Sequence, residues 1–236
     1  MSTPHYVKFQ DMLDHMPKGA DRLTVPLGMS AGGERQYATL PELGNMLITG
    51  VSGTGKSNLI RVMLETLLRR REDQDDLRVI LAGLDAPSEF ERFYDYAGFT
   101  HIIDSEELLV VLTQLAKELD ERVVRPYQYQ PEPVILMVID DYASLDYPER
   151  AFENYDLVEK LREDSNRHGI YLIVCTQSFK KSLRLLHLMQ TVVAFRAPDY
   201  DMLPQTVGRC QVRRNGEWGS EIQNPFFTGH EEIHDA

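Results

Sequence analysis

The chain has 236 residues, 42% apolar and 26% charged, the balance of an ordinary globular protein with room for one full α/β domain. No apolar run approaches the roughly 18 residues of a membrane-crossing helix, and Met1-Ser2-Thr3-Pro4-His5 lacks the basic and apolar regions of a signal peptide. The expectation is therefore a cytoplasmic protein without direct membrane insertion. A formal net charge of −12 argues against a bulk basic nucleic-acid binder, although a ring with locally basic inner loops stays open.

Residues 1–44 read as a lead-in punctuated by Pro17, Gly19, Pro26, Gly28, Gly32, Gly33 and Pro41, and residues 45–236 as the main domain of a single globular unit. Within the lead-in, Arg22 to Leu27 reads as a strand. It is expected to pair as a hairpin with Gln36 to Leu40 across the Gly32-Gly33 turn. Asn45 to Thr49 is a short buried strand, and from Asn58 onward Leu59, Ile60, Met63, Leu64, Leu67 and Leu68 repeat at helical spacing. Arg69-Arg70-Arg71 then suits a last helical turn, with a DNA-contact patch as the alternative. Arg78 to Leu84 is a buried strand ending at Asp85, and Ile102-Ile103 a shorter one. Asp104 and Glu107 form a capping box for a helix that turns Leu108, Leu112, Leu115 and Leu119 inward and ends before Pro126. Val134 to Ile139 is the next buried strand. A helix from about Glu149 to His168 should stop at Gly169 in a left-handed cap. Ile170 to Cys175 and Val192 to Phe195 are further buried strands, and Asn215-Gly216 suits the tight turn of a final hairpin. Alternating apolar strands and helices imply an α/β fold with a mainly parallel sheet covered by helices on both faces. Cys175 and Cys210 form no close pair, so reduced thiols are expected.

The chemistry is concentrated in Gly50-Val51-Ser52-Gly53-Thr54-Gly55-Lys56-Ser57, a full match to the phosphate-loop pattern G-x-x-x-x-G-K-[ST] between a strand and a helix. Gly50, Gly53 and Gly55 let backbone N–H groups of the loop turn toward phosphate oxygens, with Ser52, Thr54 and Asn58 completing the binding segment. The helix N-terminus adds partial positive charge. Lys56 is placed to reach the β- and γ-phosphates and the Ser57 hydroxyl to ligate Mg²⁺, so the chain is expected to bind a nucleoside triphosphate. The run Val134 to Ile139 followed by Asp140-Asp141 has the form of a Walker B strand, expected beside the phosphate-loop strand. Asp140 is the candidate magnesium-side residue and Asp141 the candidate catalytic base. Gln177, after Thr176, is placed to report on the γ-phosphate, with a plain strand-end cap as the alternative.

Taken together these motifs resemble the FtsK/SpoIIIE branch of the HerA–FtsK ATPases. The resemblance runs from about Leu23 to Phe227. It is carried by Val25-Pro26-Leu27-Gly28, the Asn45 to Asn58 segment, Val138 to Ala143, Arg167 to Leu172, Cys175-Thr176-Gln177 and Ala194-Phe195-Arg196. It implies a RecA-like P-loop NTPase core that uses ATP and Mg²⁺ and assembles as a homo-hexamer, with double-stranded DNA as the leading substrate. It also implies an arginine delivered in trans to the γ-phosphate. The family's Glu-x-Glu-Arg-Arg-like segment matches Glu118 to Arg122, which makes Arg122 the candidate, Arg125 and Arg167 the substitutes, and an ordinary exposed helix arginine paired with Glu118 the alternative.

Three departures qualify the resemblance. Asp141 stands where the family usually has Glu, which leaves slow or absent hydrolysis open. Ser178-Phe179 follow Thr176-Gln177 where DNA translocases usually have Arg-Pro, and no Lys or Arg lies between Ala197 and Val207. The tail from Gly208 to Phe226 is similar to the C-terminal edges of conjugative coupling ATPases and of type VII secretion ATPase modules. A protein-secretion module is therefore the second expectation, and an ATP-binding regulatory module without turnover the third. Without a membrane segment, the chain is expected to be a soluble motor, a fragment, or a module docking on a membrane-associated partner protein.

Overall fold

A computed structural model describes residues 6–71, 73, 76–83, 87–125, 133–140, 156–161, 165–177, 189–197 and 203–227. Short α1 (Phe9–Asp14) leads into β1 (Thr24–Ser30), β2 (Arg35–Thr39) and the single turn α2 (Leu40–Leu43). Next come β3 (Met46–Thr49), α3 (Lys56–Arg69), β4 (Leu77–Ala82), the turn α4 (Pro87–Phe90) and β5 (Phe99–Ile102). The long helix α5 (Ser105–Val123), β6 (Val134–Ile139), β7 (Ile170–Thr176), β8 (Thr191–Ala194), β9 (Arg209–Arg214) and β10 (Glu217–Gln223) complete the order. Residues 156–161 are helical and Ser165–His168 form a 3-10 turn ending at Gly169, whose φ of +73° is the left-handed stop its sequence implies. The remainder of the helix expected from Glu149 lies outside the described residues.

The ten strands among the described residues form one sheet in the order β2-β1-β10-β9-β8-β3-β7-β6-β4-β5. From β8 to β5 the neighbours are parallel, as near-continuous apolar strands require when both faces are covered. From β8 outward through β9, β10, β1 and β2 the pairing is antiparallel. One expectation is corrected here: β6 does not lie beside β3, because β7 pairs with both and separates them. A second correction concerns β5, which runs from Phe99 to Ile102, leaving Ile103 exposed after the strand.

The period-two alternation of strand side chains divides the core into two layers. Ile48, Val79, Leu136, Val138 and Ile173 pack on one face against Leu59, Ile60, Met63, Leu64 and Leu67 of α3. Leu47, Ile80, Ile135, Met137 and Leu172 pack on the other against Leu108, Leu112, Leu115 and Leu119 of α5. Each of these buried leucines contributes about 2 kcal/mol of apolar burial. The α5 cap is the Asp104 carboxylate, which accepts from the N–H groups of Glu106 (2.6 Å) and Glu107 (3.3 Å). Buried Asn45 fixes the entry of β3: its Oδ1 accepts from Leu172 N–H at 2.9 Å, while its own N–H donates to Gln190 Oε1 at 2.8 Å. The start of the central strand is thereby tied to β7 on one side and to the residue before β8 on the other.

The β9–β10 turn has Asn215 at φ +51° and Gly216 at φ +86°, the two positive values that a type I′ hairpin demands. Cys175 and Cys210 are both free and buried, and burial pushes the Cys210 thiol up to about 12.

Candidate functional site

The C-terminal end of β3 turns into a loop whose Gly50, Gly53 and Gly55 adopt φ of +150°, +75° and +115°. At Gly50 a Cβ would sit 2.7 Å from the Phe195 Cβ, so the strand-to-loop corner has no room for a side chain. The loop is tethered on both flanks: Gly50 N–H donates to Thr176 O (3.2 Å) and Val51 N–H to Arg196 O (3.0 Å). Thr54 Oγ1 donates to Val51 O at 2.8 Å and closes the loop on itself. Helix α3 begins at Lys56 with Gly55 as its N-cap, and no side chain caps it. The first-turn N–H groups of a 14-residue helix therefore lack that internal acceptor, the arrangement that takes an anion.

A cleft of about 550 Å³ opens over this turn, lined by Ser52, Gly53, Gly55, Lys56, Ser57 and Asn58 together with Asp140 and Gln177. Lys56 is 8% exposed, and its Nζ donates to Val51 O at 3.1 Å, lying across the loop. Ser57 Oγ donates to Asp140 Oδ2 at 3.4 Å, which brings the two expected magnesium-side groups together across residues 83 apart in sequence. Asp140 N–H is itself held by Ala82 O at 2.8 Å. The donor set fits a magnesium-nucleotide: one hydroxyl, one carboxylate and a positively polarised loop. Among the described residues no group of three or more His, Cys, Asp or Glu could hold a metal ion. Gln177 follows β7 directly and lines the same cleft. Asp141 lies outside the described residues, as do Ser178, Phe179, Lys180 and Lys181.

Arg122 is placed otherwise than the resemblance implies. It is 7% exposed, and its guanidinium donates to His168 O (2.8 Å), Pro133 O (2.8 Å) and Glu118 Oε1 (2.7 Å). The planar fork is spent joining α5 to the turn before β7 and the entry of β6, so it is not presented to a neighbouring subunit. The alternative holds in the pairing with Glu118 but not in its exposure, because the guanidinium is buried. Burial pushes the Glu118 carboxyl up, but hydrogen bonds and charge from Arg78 and Arg122 overcome this and hold it below the usual carboxylate range. Because the folded pKa is depressed, this contribution to stability is full above the unfolded value and is lost as pH falls through the folded value. Arg122→Ala leaves two carbonyls and a carboxylate short of a donor. It should lower stability by about 2–3 kcal/mol near neutral pH and shrink the further loss on acidification, which is then complete at a higher pH, read by urea unfolding across pH 3–7. A cost below about 0.5 kcal/mol would mean the fork is not structural.

The Arg69-Arg70-Arg71 run is also committed within the chain. Arg69 Nε donates to Glu65 (2.7 Å), Arg70 Nη2 to Ala20 O (2.6 Å), and Arg71 Nη1 to Ala97 O (2.9 Å) while its guanidinium lies over Tyr96. The solvent-and-packing reading fits better than a DNA patch.

Several cleft residues carry no local sequence pattern. Tyr6, Val207, Gly208, Gln223, Asn224, Pro225 and Phe226 line it from the β8–β10 side. Gly208 N–H donates to Thr54 O (2.9 Å) and Asn224 N–H to Gly208 O (2.8 Å), which carries the tail directly onto the loop. Only closure of the sheet brings these segments to the site. The Asn-Gly turn signal was the single hint that the tail returns.

A glycine loop between a parallel strand and a helix, with a carboxylate from another strand end facing the first-turn serine, defines the P-loop NTPase class of α/β protein. Residues 45–194 match the family described as Helicase HerA, central domain, and the chain belongs to that family. Among curated relatives, the DNA translocase FtsK of Treponema pallidum (strain Nichols) is 26% identical over 195 residues, covering 72% of this chain and 24% of that protein. The chain spans about a quarter or less of the length of such relatives. The fold is shared with Thermomonospora curvata EccC (ATPases 2 and 3) in complex with a signal sequence peptide, at a TM-score of 0.78 and 13% identity over 95% of this chain and 44% of that one. It is shared equally with the pCW3 conjugation coupling protein TcpA, solved with ATPγS, at a TM-score of 0.76 and 16% identity over 95% and 70%. Among the described residues no helix is long and apolar enough to cross a membrane.

Proposed function

We propose that this chain is the ATP-binding and ATP-hydrolysing unit of an FtsK-like motor that works as a homo-hexameric ring and moves double-stranded DNA. The observation that carries the nucleotide part is the Ser57–Asp140 contact across the uncapped, glycine-turned helix start. The DNA part is supported by relatives named as DNA translocases.

In this reading the loop N–H groups cradle the β-phosphate, and Lys56 swings from Val51 O to the β- and γ-phosphate oxygens. Ser57 and Asp140 would hold the magnesium ion. When bound there, Mg²⁺ would supply neutralisation of phosphate charge. Asp141 orients the attacking water and accepts its proton, and Gln177 contacts the γ-phosphate from the end of β7. With Arg122 committed inside the subunit, the trans arginine falls to one of the two exposed substitutes, Arg167 or Arg125. The second of these stands at the end of α5, exposed and loosely paired with Glu121 at 3.5 Å.

A second reading, a motor acting on a protein substrate, is favoured by the net charge of −12 and by the internal commitment of Arg69, Arg70 and Arg71. Steady-state ATP hydrolysis with and without long double-stranded DNA separates the two. A DNA translocase should turn over several-fold faster with DNA, and more weakly so as salt rises. Turnover indifferent to DNA at low salt removes the DNA motor and leaves the protein-substrate reading.

A further inference from the structure

We propose that Arg61 and His101 form an orthophosphate site past the metal side of the cleft, which holds the phosphate released by hydrolysis before it leaves the protein. The inference rests on the nucleotide-binding reading above and adds to it a separate site for the second product.

Sheet order places this site outside the ground that a nucleotide covers. The phosphate loop follows β3, and β7 and β6 stand beyond it on one side, delivering Gln177 and Asp140. In the reading above the terminal phosphate lies against Lys56 and Gln177, and the nucleotide has no atoms past it. The cleft nevertheless continues to the ends of β4 and β5, where Leu81, Gly83, Phe90, His101 and Arg61 line it. Gly83 joins this chamber to the metal side, since a Cβ on it would lie 3.5 Å from the Asp140 Cβ. The floor is apolar: Leu81 and Phe90 are buried in the core layer under α3.

Arg61 supplies the charge. It stands four residues after Ser57 on the same face of α3, and helical side chains lean back toward the N-terminus, which carries its guanidinium toward the Ser57 turn. Its Nε is buried and has no hydrogen-bond acceptor. The arginines at the other end of the helix are spent inside the chain: Arg69 on Glu65, Arg70 on Ala20 O and Arg71 on Ala97 O. Among the described residues nothing holds Arg61 in this way. A guanidinium with a desolvated N–H and no acceptor is an incomplete anion site. Burying that donor is costly until an oxyanion accepts from it, and the planar fork matches two oxygens of a phosphate.

His101 closes the other wall. Its ring is stacked on Tyr94, with centroids 4.9 Å apart and planes 24° from parallel, which fixes the plane of the imidazole as it lines the chamber. The neutral ring already carries one N–H donor for a phosphate oxygen, so the contact needs no change of charge. Glu89, exposed on the rim, repels a dianion and keeps the hold weak enough for release.

The chemistry delivers phosphate to this side. In hydrolysis a water oxygen bonds to the terminal phosphorus, and the bridging oxygen leaves with its electron pair on ADP. The water proton passes to Asp141 in the reading above. The displacement is in line, so orthophosphate separates on the side away from ADP. ADP stays on the loop and Lys56, while the chamber past Asp140 stands open to the phosphate.

The test is equilibrium dialysis of radiolabelled orthophosphate against the full chain saturated with Mg-ADP, with ATPγS affinity measured beside it. The wild type should take up a single orthophosphate per chain. Arg61→Ala should weaken that uptake about tenfold, the effect of losing a charge-assisted hydrogen bond. His101→Ala should weaken it about threefold, as the loss of a neutral donor does. Arg61→Lys should recover part of the loss, because it keeps the charge without the fork. ATPγS affinity should fall far less than orthophosphate affinity in Arg61→Ala, and thermal melts of each variant separate these losses from unfolding. No saturable uptake by the ADP-loaded wild type overturns the site, and so does equal uptake by Arg61→Ala. Equal losses of orthophosphate and ATPγS in Arg61→Ala overturn it as well, because the arginine then serves the nucleotide's own third phosphate. If the wild type binds neither ADP nor ATPγS, or Lys56→Ala binds them equally well, the nucleotide reading fails first and takes the orthophosphate site with it.

Discussion

Lys56→Ala is expected to lower steady-state ATP turnover by about 100- to 1,000-fold, the usual cost of removing one preorganised group aimed at transition-state charge. The expectation follows from where the chain has put the ammonium group. Lys56 is the first residue of α3, behind a loop whose corner at Gly50 cannot accept a side chain, and its Nζ already lies 3.1 Å from Val51 O. Exchanging that carbonyl for phosphate oxygens needs only rotation about the side chain, because the loop is tethered to Thr176 and Arg196. Lys56→Arg should restore little, since a planar fork does not replace a compact point charge at a tightly wrapped phosphate. Hydrolysis assays paired with thermal melts check this. Turnover within tenfold of wild type would show that charge is stabilised elsewhere, and unchanged melting would show that the loop survives the substitution.

What the sequence disclosed and what it withheld divide along contact range. The phosphate loop was legible because the chemistry needs its residues consecutive, and Asp140 because a carboxylate ending an apolar run is a local pattern. The two core layers were legible as well, from Leu108, Leu112, Leu115 and Leu119 at helical spacing and from alternation along β6. Strand order was not. Nothing in Val134 to Ile139 says that β7, rather than β3, is its neighbour, since either would bury the same side chains. Arg122 misled for a related reason. Its spacing from Glu118 is the same whether the guanidinium faces a second subunit or, as here, the carbonyls of Pro133 and His168. The far end of the cleft had the weakest signal, being assembled from Tyr6, Gly208 and residues 223–226, which meet only once β10 has paired with β1.

That closure gives the second large expected effect. Gly28→Ala should lower stability by about 3 kcal/mol, with a fall in Tm of roughly 6–12 °C for a chain of this size. Gly28 lies in β1 at φ +151°, at a register shift between Pro26 and Gly28 in the β1–β2 ladder. A Cβ there would stand 2.3 Å from Gln223 O and 2.9 Å from Gln223 C, both main-chain atoms that cannot rotate away. β1 and β10 would have to part where Met29 opposes Gln223 and Ser30 opposes Ile222, their entire ladder. Since Gln223 and the residues after it form one wall of the cleft, ATP binding should weaken along with the fold. Gly33→Ala is the matched control: its φ of +79° carries the same kind of backbone penalty, but nothing lies within 4 Å of the added Cβ. It should cost only about 1 kcal/mol and leave nucleotide binding intact. If denaturant melts give the two variants the same loss, backbone conformation alone explains Gly28, and the close approach of β1 to Gln223 is not what holds that wall in place.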